Sequence, residues 1–164
     1  MNRTTQRLAI GAALLIILLA ATAAIWRFEH TLSSGKDMIL QLAPVDPRSI
    51  MQGDYMALAY AIDRELPDEA GKFKYVWLSL SDQGIASLHS LSNDLPQQQG
   101  LIGVLLRQRD GIYSVGPNGF FFAEGTAAAY EAARYGQFKV DSKGKALLTA
   151  LLDEELQLLG ENLR

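Results

Sequence analysis

Residues Leu8 to Trp26 read LAIGAALLIILLAATAAIW, nineteen positions without a charge. At about 1.5 Å of rise per residue, a helix over this run nearly matches the roughly 30 Å hydrocarbon thickness of a bilayer. Arg3 and Arg7 precede it with no acid nearby, whereas Arg27, Glu29, His30, Lys36 and Asp37 follow with mixed sign. That asymmetry predicts a transmembrane helix with residues 1–7 in the cytoplasm and everything after the run on the far side of the membrane. Trp26 and Phe28 fall at the depth where amphipathic rings settle among headgroups. A secretory signal peptide cut after Ala21-Thr22-Ala23 is the competing reading, although the run exceeds the ~7–15 residues of a usual signal-peptide core. A buried helix of a soluble domain fits less well, because no polar face exists between Leu8 and Ile25.

Setting this run aside leaves an ordinary soluble composition, so the 49% hydrophobic and 20% charged content of the chain reflects a local excess. Beyond Trp26 there are 13 basic and 18 acidic side chains, a net charge of −5. Lys72, Lys74, Lys139, Lys143 and Lys145 are interspersed with acids and read as solvated positions, which argues against nucleic acid as a partner. The absence of cysteine excludes disulfides, thiolate nucleophiles and cysteine metal sites. The remaining length suits one compact domain.

Polar residues 27–37, with Ser33-Ser34-Gly35 at their centre, predict the end of the helix and a short linker, and residues 38–164 the extracytoplasmic domain. Met38–Ala43 reads as a first strand stopped by Pro44. Asp46-Pro47 suggests a helix cap and a single turn ending at Gly53, with a second strand over Asp54–Ile62. Phe73–Leu80 and Ile85–Leu91 flank the turn residues Ser81–Gly84 and predict a hairpin. Asn93–Gly100 is a loop, Leu101–Arg107 a strand, and Ile112–Val115 a short strand bracketed by Asp110-Gly111 and Pro117-Asn118-Gly119, before another that begins at Phe120. The alanine-rich TAAAYEAARY, Thr126–Tyr135, predicts a helix ended by Gly136. Phe138–Val140 and Ala146–Leu151 around Asp141–Gly144 form a second hairpin signal, and the tail is a last strand or a frayed helix. The sum is a mainly β (α+β) architecture: an N-terminal transmembrane helix, then an antiparallel sheet or small barrel-like domain with one short helix.

Gly53-Asp54-Tyr55-Met56-Ala57-Leu58-Ala59-Tyr60 fits the pattern G-D-Y-x-x-L-x-Y without a mismatch. With the lead-in Asp46-Pro47-Arg48, the stretch Phe122–Gly125 and Val140-Asp141-x-x-Gly144, it resembles the GDYXXLXY family of bacterial membrane-anchored proteins. The resemblance implies one N-terminal helix in a bacterial inner (cytoplasmic) membrane, an exported, periplasmic domain, and association with multi-pass membrane proteins; it implies no established reaction. Read as a strand, the motif puts Tyr55, Ala57 and Ala59 on one face and Asp54, Met56, Leu58, Tyr60 and Ile62 on the other. Gly53 suits a tight approach, Asp54 can accept bonds from backbone amides of the preceding turn, and Arg48 can pair with Asp54. Two roles are open for the motif residues Asp46, Pro47, Arg48, Gly53, Asp54, Tyr55, Leu58 and Tyr60: a structural corner, or a binding groove floored by aromatics.

No catalytic, cofactor or metal constellation emerges. His30 and His89 lack paired-ligand spacing, and Asp68-Glu69 and Glu154-Glu155 are neighbours that would point to opposite faces of a strand. Ser49 before Gly53-Asp54 resembles the serine/lysine signal peptidases, but Ile50 follows the serine, the spacing is short, and Lys72 and Lys74 look solvated rather than buried as a general base must be. The expected function is therefore a non-enzymatic, membrane-anchored accessory protein whose partners are the lipid bilayer and a multi-pass membrane protein. The alternative is a ligand-binding or sensing domain in which Tyr55, Tyr60, Tyr75 and Trp77 line a pocket.

Overall fold

The computed structural model describes residues 3–43, 55–109 and 111–161. It divides into two compact units at Ser34/Gly35. The first is a single helix, α1 (Arg3–Ser34), long and apolar enough to cross a membrane. All described side chains from Gln6 to His30 are exposed, as expected of a helix apolar on every side. Residues 27–34, expected as linker, are helical instead. Thr31 Oγ1 donates to the Arg27 carbonyl at 3.0 Å and Ser34 Oγ to the His30 carbonyl at 2.6 Å, so these polar side chains bond within the helix rather than unwinding it. His30 stacks on Trp26, with ring centroids 5.4 Å apart. Only Gly35 separates the helix from the first strand.

The second unit contains eleven strands among the described residues. They are β1 (Lys36–Gln41), β2 (Tyr55–Ala57), β3 (Tyr75–Leu80), β4 (Ala86–Ser92), β5 (Leu101–Leu105), β6 (Arg107–Arg109), β7 (Ile112–Ser114), β8 (Gly119–Phe121), β9 (Tyr135–Val140), β10 (Ala146–Leu152) and β11 (Leu158–Glu161). All ladders are antiparallel, in four sheets ordered β1-β9-β10-β11, β4-β3-β5, β2-β8 and β6-β7. Both hairpins expected around Ser81–Gly84 and Asp141–Gly144 form. Among the described residues the sheets do not close into a barrel. They meet through single connections, such as the Ile39 N–H donating to the Gly84 carbonyl at 2.9 Å, and around one shared core of Met38, Leu40, Val76, Leu78, Val104, Phe120, Phe138 and Leu151.

Two expected elements change shape. Of the strand expected over Asp54–Ile62, the described residues form a ladder from Tyr55 to Ala57 and an isolated bridge from Tyr60 to Leu42; a 3-10 turn at Ala61–Glu65 follows, because the chain must leave β8 and carry Ile62 into the core. The helix over Thr126–Tyr135 is reduced to a 3-10 turn, Ala127–Tyr130, and Tyr135 and Gly136 belong to β9. An isolated helix shorter than ~12–15 residues is marginal. Here Tyr130 is drawn into the core against Phe120 and Phe122, each at 5.1 Å, while β9 gains ladders on both sides.

Candidate functional site

The alternation expected of the motif survives where the strand itself does not. Met56, Leu58, Tyr60 and Ile62 are buried, whereas Tyr55, Ala57, Ala59 and Ala61 are half-exposed. The inner set is structural. Tyr60 is 1% exposed, its ring meets Phe138 edge-on at 5.7 Å, and its hydroxyl donates to the Pro117 carbonyl at 2.6 Å. Burial, and secondarily the carboxylate of Asp63, push the Tyr60 pKa far up, with Arg107 opposing in part, so the phenol stays a neutral donor.

Asp63 ties this turn to the end of β7. Its carboxylate accepts the Ser114 hydroxyl at 2.6 Å and the Val115 N–H at 3.1 Å. Burial raises its pKa above the ordinary carboxylate value, and the Ser114 and Val115 bonds partly offset that rise. Together, the Tyr60 and Asp63 bonds hold residues 114–117 against the motif, a fixed approach to the turn Pro117-Asn118-Gly119.

The outer face is different. Tyr55 lies opposite Phe121 across the β2–β8 ladder, the two rings tilted by 40° with centroids 5.6 Å apart. Phe121 remains 61% exposed. Gly119 lets the Tyr55 ring lie flat on the backbone, since a Cβ there would sit 2.5 Å from a ring carbon. Tyr55, Pro117, Asn118, Gly119 and Phe121 line an open depression of about 520 Å³. The Asn118 carbonyl accepts the Leu58 N–H at 3.0 Å, so this turn is clamped from both directions.

A family model described as GDYXXLXY protein matches residues 17–151, most of the chain. The chain belongs to the GDYXXLXY family. Comparison with curated proteins and with solved structures gives no match. Of the family's signature residues in this chain, Leu58 and Tyr60 are core and Tyr55 is surface, while Asp46, Pro47, Arg48, Gly53 and Asp54, together with Ser49 and the expected turn around them, lie outside the described residues. Tyr55, Tyr60, Tyr75 and Trp77 do not all line this depression. Of these four only Tyr55 lines the depression; Tyr75 is buried, and the Trp77 indole N–H donates to the Asp94 carbonyl at 2.7 Å. Phe121, Asp63 and Ser114 were not legible as site residues. The signal for Phe121 was present in Pro117-Asn118-Gly119 followed by Phe120-Phe121-Phe122, where period-2 alternation must turn one of three phenylalanines outward.

Proposed function

We propose that this GDYXXLXY protein is a non-enzymatic accessory subunit, held by α1 in a bacterial inner membrane with its N-terminus in the cytoplasm and its β domain in the periplasm. Its partner is a multi-pass membrane protein. The observation that carries this reading is α1 itself, a 32-residue helix whose apolar side chains from Leu8 to Phe28 are exposed all round and which is joined to the domain through one residue, Gly35. A helix of that length measures about 48 Å, more than a bilayer core requires, so its outer turns remain available beside neighbouring helices. Gly11, Ala12 and Ala13 offer a small-residue surface for such packing. The rings of Tyr55 and Phe121 supply the kind of exposed aromatic area that anchors protein interfaces.

Purification of the tagged full chain from its host in mild detergent is the test. The accessory-subunit reading expects a stoichiometric multi-pass protein to be retained, and recovery of the chain alone, even after crosslinking, overturns it. The depression beside Tyr55 favours a second reading, a sensing domain for a small apolar or aromatic ligand. That reading expects Tyr55→Ala to abolish function while leaving the co-purifying protein in place.

A further inference from the structure

The sequence intersperses its lysines with acids, and the fold gathers five of them around the β9–β10 turn. Lys36 opens β1 opposite Val140; Lys139 is the last but one residue of β9, opposite Asp37; Lys143 and Lys145 lie in the turn itself. The Asp141 carboxylate accepts the backbone N–H groups of Lys143 and Lys145 at 2.9 and 2.8 Å, and the Gly144 carbonyl accepts the Leu105 N–H at 2.7 Å. This close approach brings Tyr75 against Gly144, and the Lys74 ammonium lies 5.2 Å from the centre of that ring. Lys36, Lys74, Lys143 and Lys145 are exposed. The acids of the same strands and turn are Asp37, bridged to Lys139 at 2.9 Å, and Asp141, whose oxygen is engaged with the turn amides. Beyond Ser34 the chain carries 12 basic and 17 acidic side chains, so a lysine-rich end belongs to a domain that is acidic as a whole.

Connectivity decides what this end can meet. Lys36 is two residues from Ser34, at most about 7 Å of extended chain. Residues 27–34 of α1 rise about 12 Å beyond Trp26. Chain length alone therefore keeps Lys36 within roughly 20 Å of the hydrocarbon edge when α1 spans a bilayer, and a tilted helix brings it closer. Lysine ammonium groups are hydrated point charges that need no bidentate geometry, which suits a fluid layer of phosphates better than a stereospecific phosphate pocket.

We propose that the end of the domain bearing Lys36, Lys74, Lys143 and Lys145 docks on anionic phospholipid headgroups of the membrane that α1 spans. The inference rests on the membrane-anchored reading. A basic side chain near an anionic surface contributes about fivefold in association, so removing three should lower the docked-to-undocked ratio on the order of a hundredfold. The absence of native cysteine permits one clean label on the full chain: a fluorophore on Ser142→Cys in the turn, with Ala129→Cys, beyond the opposite end of β9, as reference. Both are reconstituted in phosphatidylcholine nanodiscs with or without phosphatidylglycerol and with a headgroup-attached quencher. The proposal expects quenching at position 142, not 129, to rise with phosphatidylglycerol, to fall in high salt, and to vanish in Lys36→Gln/Lys143→Gln/Lys145→Gln. Equal quenching in both lipids, insensitivity to the triple substitution, or stronger quenching at 129 overturns it and leaves the lysines to a protein or soluble polyanion. Release of the chain from vesicles by alkaline carbonate would instead overturn the anchoring beneath it; retention with an unquenched label defeats the docking alone.

Discussion

Tyr60 and Tyr55 stand five residues apart in one motif and answer to different constraints. Tyr60→Phe removes the donor to the partly buried Pro117 carbonyl, a cost of about 1 kcal/mol. Thermal melting of the full chain in detergent should fall by several degrees. Tyr55→Ala, on the exposed face, loses a tilted ring pair worth about 0.5–1.5 kcal/mol and should also lose the retained partner. Asp63 adds a pH dependence of defined sign. Its folded pKa is raised above the unfolded value, so its contribution to stability is fully present below the ordinary carboxylate range and is lost as pH rises through the folded value. Asp63→Asn cannot titrate. The stability of wild type relative to Asp63→Asn should therefore decline from pH 3 upward and level off above the elevated pKa, as read by melting curves at fixed ionic strength; a difference that grows with pH would contradict the buried-carboxylate account.

Among the elements, the β9–β10 hairpin is the most constrained. Gly144 sits at φ +81°, and a Cβ on it would stand 2.8 Å from the Gly103 carbonyl oxygen, a backbone atom that cannot swing aside. Gly144→Ala combines the left-handed penalty of about 1–2 kcal/mol with that clash, and should destabilise the domain by more than the penalty alone. Hydrogen exchange at Leu105, whose N–H bonds to the Gly144 carbonyl, should rise with it. The same hairpin was readable in advance because Asp-x-x-Gly chemistry between alternating strands is local. Over Thr126–Tyr135 the helix is confined to Ala127–Tyr130 for the converse reason: alanine propensity is also local, but the pull on Tyr130 from Phe120 and Phe122, and on Tyr135 from Gln41 and Leu152, comes from segments distant in sequence. The serine and threonine side chains of residues 31–34 looked like linker chemistry, yet each can equally bond a carbonyl one turn back, and no composition rule separates the two.

For the whole molecule, the chain divides into an apolar helix and a domain with its own core. If Arg3 and Arg7 hold the N-terminus in the cytoplasm, alkaline phosphatase fused after Arg164 should be active and green fluorescent protein at the same place dark in a bacterial host. The reverse pattern would remove the domain from the periplasm. The run from Leu8 to Trp26, the two hairpins, and the buried side of Met56, Leu58, Tyr60 and Ile62 follow from the sequence by itself, since each depends on hydrophobic periodicity or turn chemistry within a dozen residues. The four open sheets of the described residues, the meeting of Tyr55 with Phe121, the Asp63–Ser114 bond and the convergence of the lysines on one turn were decided only in three dimensions. Each joins segments separated by dozens of residues, and strand pairing across such distances is chosen by the packing of the whole core, which no local pattern encodes.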